Sequence, residues 1–72
     1  MNLMSRLKLL GSNIKKYRKA KGLRQLDLAI AMNLSEDYIC RVENGLKPMS
    51  LKKLFRLADI LEVKMTDLID FN

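Results

Sequence analysis

Apolar residues in the first third of the chain recur at Leu3, Leu7, Leu10, Ile14 and Tyr17, in steps of four, three, four and three. That spacing places them on one face of a helix and is incompatible with the alternation of a strand. Gly22 ends the segment as a residue that accepts a left-handed backbone, and Lys19 and Lys21 just before it suit the negative helix end. A second helix is predicted over Gln25–Met32, with Leu28, Ala29 and Met32 on its inner side. Asn33 follows, a residue that tolerates positive φ. Ser35 predicts the N-cap of a third helix, whose first turn carries Glu36 and Asp37, where carboxylates are favoured. That helix runs to about Asn44 and stops at Gly45. Ser50 caps a fourth, with Leu51, Leu54, Phe55, Ala58 and Leu61 as its apolar set, and a short fifth spans Met65–Phe71 with Leu68 and Ile69. Gly11, Gly22, Gly45 and Pro48 are the only glycine or proline breaks. The fold class is all-α, a compact bundle of five short helices, read as one domain over residues 1–72.

Within this order, Gln25–Asn44 reads as helix, short turn, helix. Two helices crossing steeply need a small residue where the second comes close, and Ala29 supplies it; the turn needs a left-handed residue, and Asn33 supplies that. Leu28, Met32, Leu34, Ile39 and Val42 point inward and hold the third helix as a rigid body. Glu36, Asp37, Tyr38, Cys40 and Arg41 are left outward.

Composition removes most chemistry. The chain has no His, no Trp and a single cysteine, Cys40. No Ser-His-Asp triad, Cys-His pair, zinc finger or internal disulfide can be assembled, so neither an enzyme nor a metal or cofactor site is expected. Cys40 has no second cysteine in the chain as a resolving partner and is expected simply to fill its place on the helix. No apolar run approaches the ~20 residues of a membrane span. Basic residues interrupt the apolar start, so no signal peptide is read and a cytoplasmic location is expected.

Charge sharpens the picture. The net charge of +6 is uneven: residues 1–24 hold eight cations and no acid, whereas residues 25–45 carry only Arg41 against Asp27, Glu36, Asp37 and Glu43. A basic surface aimed at a polyanion follows, either nucleic acid or anionic lipid. The third helix itself is net acidic.

At these residues a resemblance becomes specific. Leu10–Ile69 resembles the Cro/phage-repressor (XRE) family of bacterial and phage transcriptional regulators. The matching marks are NIKKYRKAKGL in the first helix, Gln25 opening the second, DLA at Asp27–Ala29, RVENG at Arg41–Gly45 and MSLKKLFRLADIL around the fourth helix. The chain departs from the family pattern at Arg24, where a Ser or Thr cap is usual, and at Leu26, in place of a surface polar residue. Asn33 stands for the usual Gly, and Glu62 and Lys64 stand for Gly and Ser.

The resemblance implies a lambda-repressor-like domain whose third helix enters the major groove. It implies base readout by Ser35, Glu36, Asp37, Tyr38 and Arg41, with one of the two carboxylates, Glu36 or Asp37, reading a base, since a carboxylate can accept from cytosine N4. It implies phosphate contacts from Arg24, Gln25, Asn44, Lys47 and Lys52, and a structural ion pair between Arg18 and Glu43. The expected partners are a double-stranded DNA operator, partly palindromic, and a second copy of the chain. A small core gains from pairing, and Leu61, Val63, Leu68, Ile69 and Phe71 are expected at that homodimer contact. No membrane and no small-molecule ligand are expected. Repression through promoter occupancy is the favoured mechanism, ahead of a protein-interaction module such as an antitoxin and of an anionic-membrane binder built on the first helix.

Overall fold

The computed structural model describes residues 1–71. Five helices follow one another: α1 Leu3–Ala20, α2 Gln25–Met32, α3 Glu36–Glu43, α4 Leu51–Leu61 and α5 Met65–Leu68, with no strand among the described residues. Each helix places one large, fully buried side chain in the centre: Ile14, Leu28, Ile39, Leu57 and Leu68. Leu10, Ala29, Met32, Val42, Met49, Leu54, Ala58 and Leu61 complete the core. No helix among the described residues is long and apolar enough to cross a membrane.

The first four helices stop by one device. Gly22, Asn33, Gly45 and Glu62 all adopt positive φ, between 56° and 77°. In each case the following amide reaches back six-to-one: Leu23 to the Arg18 carbonyl at 3.1 Å, Leu34 to Ala29 at 2.9 Å, Leu46 to Arg41 at 2.9 Å, Val63 to Ala58 at 3.0 Å. This is the Schellman arrangement, and an apolar residue follows the left-handed one each time. Leu23, Leu34 and Val63 fold back onto the core, while Leu46 stays exposed. A left-handed backbone strains any residue with a Cβ, more so Glu62 than Asn33.

Helix starts use two devices. Asn2, Ser35 and Ser50 cap α1, α3 and α4 with side-chain oxygens that accept from the amides of Ser5, Tyr38 and Lys53. At α2 and α5 the cap positions are cations, Arg24 and Lys64. There the carboxylates of Asp27 and Asp67 reach back to accept the Arg24 and Lys64 amides at 2.8 and 2.9 Å. The missing Ser or Thr is thus compensated from three residues downstream.

Four expectations need correction. Leu61 and Leu68 are not free for a dimer contact: they are buried in the monomer's own core, because α5 folds back against α1 and α4. Of the remaining residues expected there, Val63 and Phe71 are half-buried against that core and Ile69 is half-exposed. The fifth helix ends at Leu68 rather than Phe71. The Asn13 amide donates to the carbonyls of Leu68 at 2.8 Å and Asp70 at 2.9 Å, replacing the donors that a continuing helix would provide. Leu3, Leu51 and Phe55 lie on expected apolar faces yet are exposed, because no element packs over the first turn of α1 or the outer edge of α4. Gly11 is no break either. It lies inside α1, buried, where a Cβ would stand 2.4 Å from the carbonyl oxygens of Val42 and Glu43. Only a glycine lets α1 approach the end of α3 so closely.

Candidate nucleic-acid interface

The helix-turn-helix is α2 and α3 joined through Asn33. Ala29 is buried at 1% exposure, which leaves room for α3 to cross. The orientation of α3 is then fixed from its C-terminal end by a buried polar cluster. Arg18 donates through Nε to Glu43 Oε2 at 2.6 Å, through Nη2 to Oε1 at 3.0 Å and through Nη1 to the Leu23 carbonyl at 2.8 Å. Gln25 Nε2 donates to the same Glu43 Oε1 at 3.0 Å. Arg18 and Glu43 are the buried charged residues of the chain's described part, and no buried side-chain polar atom there lacks a partner. The cluster ties α1, the start of α2 and the end of α3 into one unit.

With α3 held this way, its outer face carries Glu36, Asp37 and Arg41, all exposed. Arg41 donates through Nε to Asp37 Oδ2 at 2.9 Å, one turn apart. That contact occupies the inner nitrogen of the guanidinium rather than its two terminal nitrogens. Glu36 makes no ion pair at contact distance among the described residues, and its charge acts on Arg24 from further away. Ser35 is exposed, and its hydroxyl oxygen is engaged by the Tyr38 amide at 3.0 Å.

Tyr38 is half-buried and turned toward the α3–α4 loop. Its hydroxyl lies 3.5 Å from the Pro48 carbonyl, and the ammonium groups of Lys47 and Lys53 lie 5.5 and 4.9 Å from its ring centroid.

The residues expected at phosphates flank α3. Arg24 is exposed but committed to Asp27, through Nε at 3.0 Å and Nη2 at 2.8 Å. This hydrogen-bonded pairing raises the Arg24 pKa and holds the Asp27 carboxyl at about 2. Gln25 is half-buried, with its amide nitrogen on Glu43. Asn44 is exposed beside Cys40, whose sulfur accepts from Nδ2 at 3.5 Å. Lys47 and Lys52 are exposed, with no carboxylate partner among the described residues. On the far side, Lys21 pairs with Glu62, tying the ends of α1 and α4 and lowering the Glu62 pKa.

Two participants escaped the sequence. Asp27 enters the sequence reading as a charge and as part of the DLA mark, and its capping role lies in the three-residue interval from Arg24. Lys53 was passed over beside Lys52, and nothing in the sequence alone brings it to Tyr38, fifteen positions earlier on another helix.

Comparison with known proteins places this geometry. A helix-turn-helix family model matches residues 14–68. The chain is 39% identical over 66 residues to the ImmF control region 10 kDa protein of Bacillus phage phi105, covering 85% of this chain and 73% of that protein. It is 32% identical to the HTH-type transcriptional regulator y4dJ of Sinorhizobium fredii, covering 92% of this chain and 86% of the relative. Among solved structures, the restriction-modification controller protein C.AhdI from Aeromonas hydrophila superposes with a TM-score of 0.81 at 34% identity, over 86% of this chain and 94% of that one. The clp gene regulator ClgR from Corynebacterium glutamicum gives 0.86 at 25% identity, over 99% of this chain and 72% of that one.

Proposed function

The chain belongs to the helix-turn-helix family of transcriptional regulators, and from that premise we propose that it is a repressor binding a partly palindromic operator as a homodimer. In this reading α3 lies in the major groove with its N-terminal half against the base edges. Ser35, Glu36 and Arg41 read bases. Asp37 holds the Arg41 guanidinium by its inner nitrogen, so that the two terminal nitrogens meet guanine O6 and N7 together. Glu36, unpaired on the same face, accepts from cytosine N4 and is repelled wherever no donor faces it. Arg24, Gln25, Asn44, Lys47 and Lys52 bracket the helix and bind phosphates.

The observation that carries this reading is the division of charge around α3. The helix is acidic and its one arginine is ion-paired with Asp37, whereas the cations at Lys47 and Lys52 have no carboxylate partner among the described residues. Such a surface is attracted by its flanks and discriminates at its centre. For the homodimer, the exposed apolar residues of the C-terminal half, Leu51, Phe55 and Ile69, replace the buried Leu61 and Leu68 as the contact. A cytoplasmic location follows from a DNA target.

Selection of bound duplexes from a random pool tests the proposal. The expected product is a sequence of two inverted half-sites whose centres are about 34 Å apart, one turn of DNA. A single unrepeated half-site overturns the homodimer, and a pool that enriches no sequence overturns specific readout.

A further inference from the structure

Three elements converge on one ring. Tyr38 comes from α3, Lys47 from the α3–α4 loop and Lys53 from the first turn of α4. Both ammonium groups lie within the 6 Å at which a cation is attracted to a ring face. The tyrosine is oriented by its hydroxyl toward the Pro48 carbonyl, in the same loop as Lys47. Lys53 is half-buried, with its backbone amide held by the Ser50 hydroxyl. Neither lysine has a carboxylate at ion-pair distance among the described residues. On α3, Asp37 is taken by Arg41.

Two like charges held within 6 Å of one ring centroid are costly, and the ring compensates only part of that cost. A shared anion compensates the rest. Tyr38 is also poorly placed to read a base, because its hydroxyl is turned to the loop and its ring is occupied by cations.

We propose that Tyr38 is a positioning residue: its ring gathers Lys47 and Lys53 into one cationic pair for a DNA phosphate, making Lys53 a phosphate contact. The inference rests on the DNA-binding reading above and gives Tyr38 a role within it. Phosphate contact through Tyr38 is sequence-independent, whereas a base-reading tyrosine changes base preference. The lysines keep their charge without the ring but lose their common placement.

The test uses the full chain and its selected duplex, with a panel of single-base variants and a salt series. Lys53→Gln is expected to weaken binding about equally across the panel and to reduce the salt slope by about one ion. Tyr38→Phe, which keeps the ring but loses the hydroxyl's contact with the Pro48 carbonyl, is expected to lose less than Tyr38→Leu. Tyr38→Leu is expected to lose about threefold to tenfold uniformly, and to lose much less in a Lys53→Gln background. A Tyr38→Leu protein with altered preference at one base pair, or an effect that adds fully to Lys53→Gln, overturns the proposal. So does a Lys53→Gln protein with an unchanged salt slope, a result independent of whether Tyr38→Leu folds. Failure of the underlying reading looks different: the wild type itself then shows no preference across the panel.

Discussion

Arg18 of α1 grips Glu43 at the end of α3 with two parallel hydrogen bonds, 2.6 and 3.0 Å long, both residues being almost fully buried. A bidentate arginine–carboxylate pair is geometrically exacting, so it fixes the direction in which α3 leaves the domain. Replacing Arg18 with Met strands a buried carboxylate and is expected to cost about 3 kcal/mol or more in urea denaturation. Arg18→Met combined with Glu43→Leu is expected to recover most of that stability, because no isolated charge is left. An equal loss in the single and double variants would contradict this.

Gly11 makes the same junction possible from the other side. A methyl group there meets two backbone carbonyl oxygens of α3 at 2.4 Å, and backbone cannot rotate away as a side chain can. Gly11→Ala is expected to destabilise by about 2 kcal/mol or more, despite the better helix propensity of alanine. Thermal unfolding checks the sign: a stabilised Gly11→Ala protein would mean that α1 and α3 lie further apart than described.

The Asp27 carboxyl, held at about 2 against an ordinary 3.8 by its hydrogen bonds to Arg24, gives stability a defined pH dependence. A carboxyl whose folded pKa is depressed contributes fully above the unfolded pKa, and that contribution is lost as pH falls through the folded one. Asp27→Ala is therefore expected to melt lower than the wild type at pH 7, with the gap narrowing between pH 4 and pH 2. Melting curves at three pH values settle it; a constant gap would show that only the helix cap, and not the charge, is involved.

Asn13 joins the C-terminal segment to α1 through the carbonyls of Leu68 and Asp70. Asn13→Ala is expected to cost about 1–2 kcal/mol. Hydrogen exchange should speed up first at the Ile69 amide, which bonds the Met65 carbonyl at 3.1 Å at the end of α5. Unchanged exchange there would show that Leu68 alone anchors the segment.

The helices were legible in the sequence because their ends are made locally. Ser35, Ser50, Gly22 and Asn33 act through their own backbone and their nearest neighbours, so identity and spacing suffice. What depends on another element was not legible. Leu51 and Phe55 have the right period for a core face, yet burial requires a helix to cover them, and none does. Leu61 and Leu68 are surplus to a single helix end by period alone, and the folding of α5 back onto α1 and α4 buries them. Gly11 looked like punctuation because its reason lies on α3. The outer face of α3 divides in the same way: Asp37 and Arg41 are one helical turn apart, an interval visible in the sequence, whereas the approach of Lys53 to Tyr38 requires the turn between α3 and α4.

The central claim is that α3 reads sequence while the cations around it bind phosphate. The most direct measurement is the affinity for the selected duplex and for a scrambled duplex, followed across a salt series. Both affinities are expected to fall steeply with salt, with the selected duplex remaining about 10³-fold tighter throughout. Equal affinities at every salt concentration would contradict the claim.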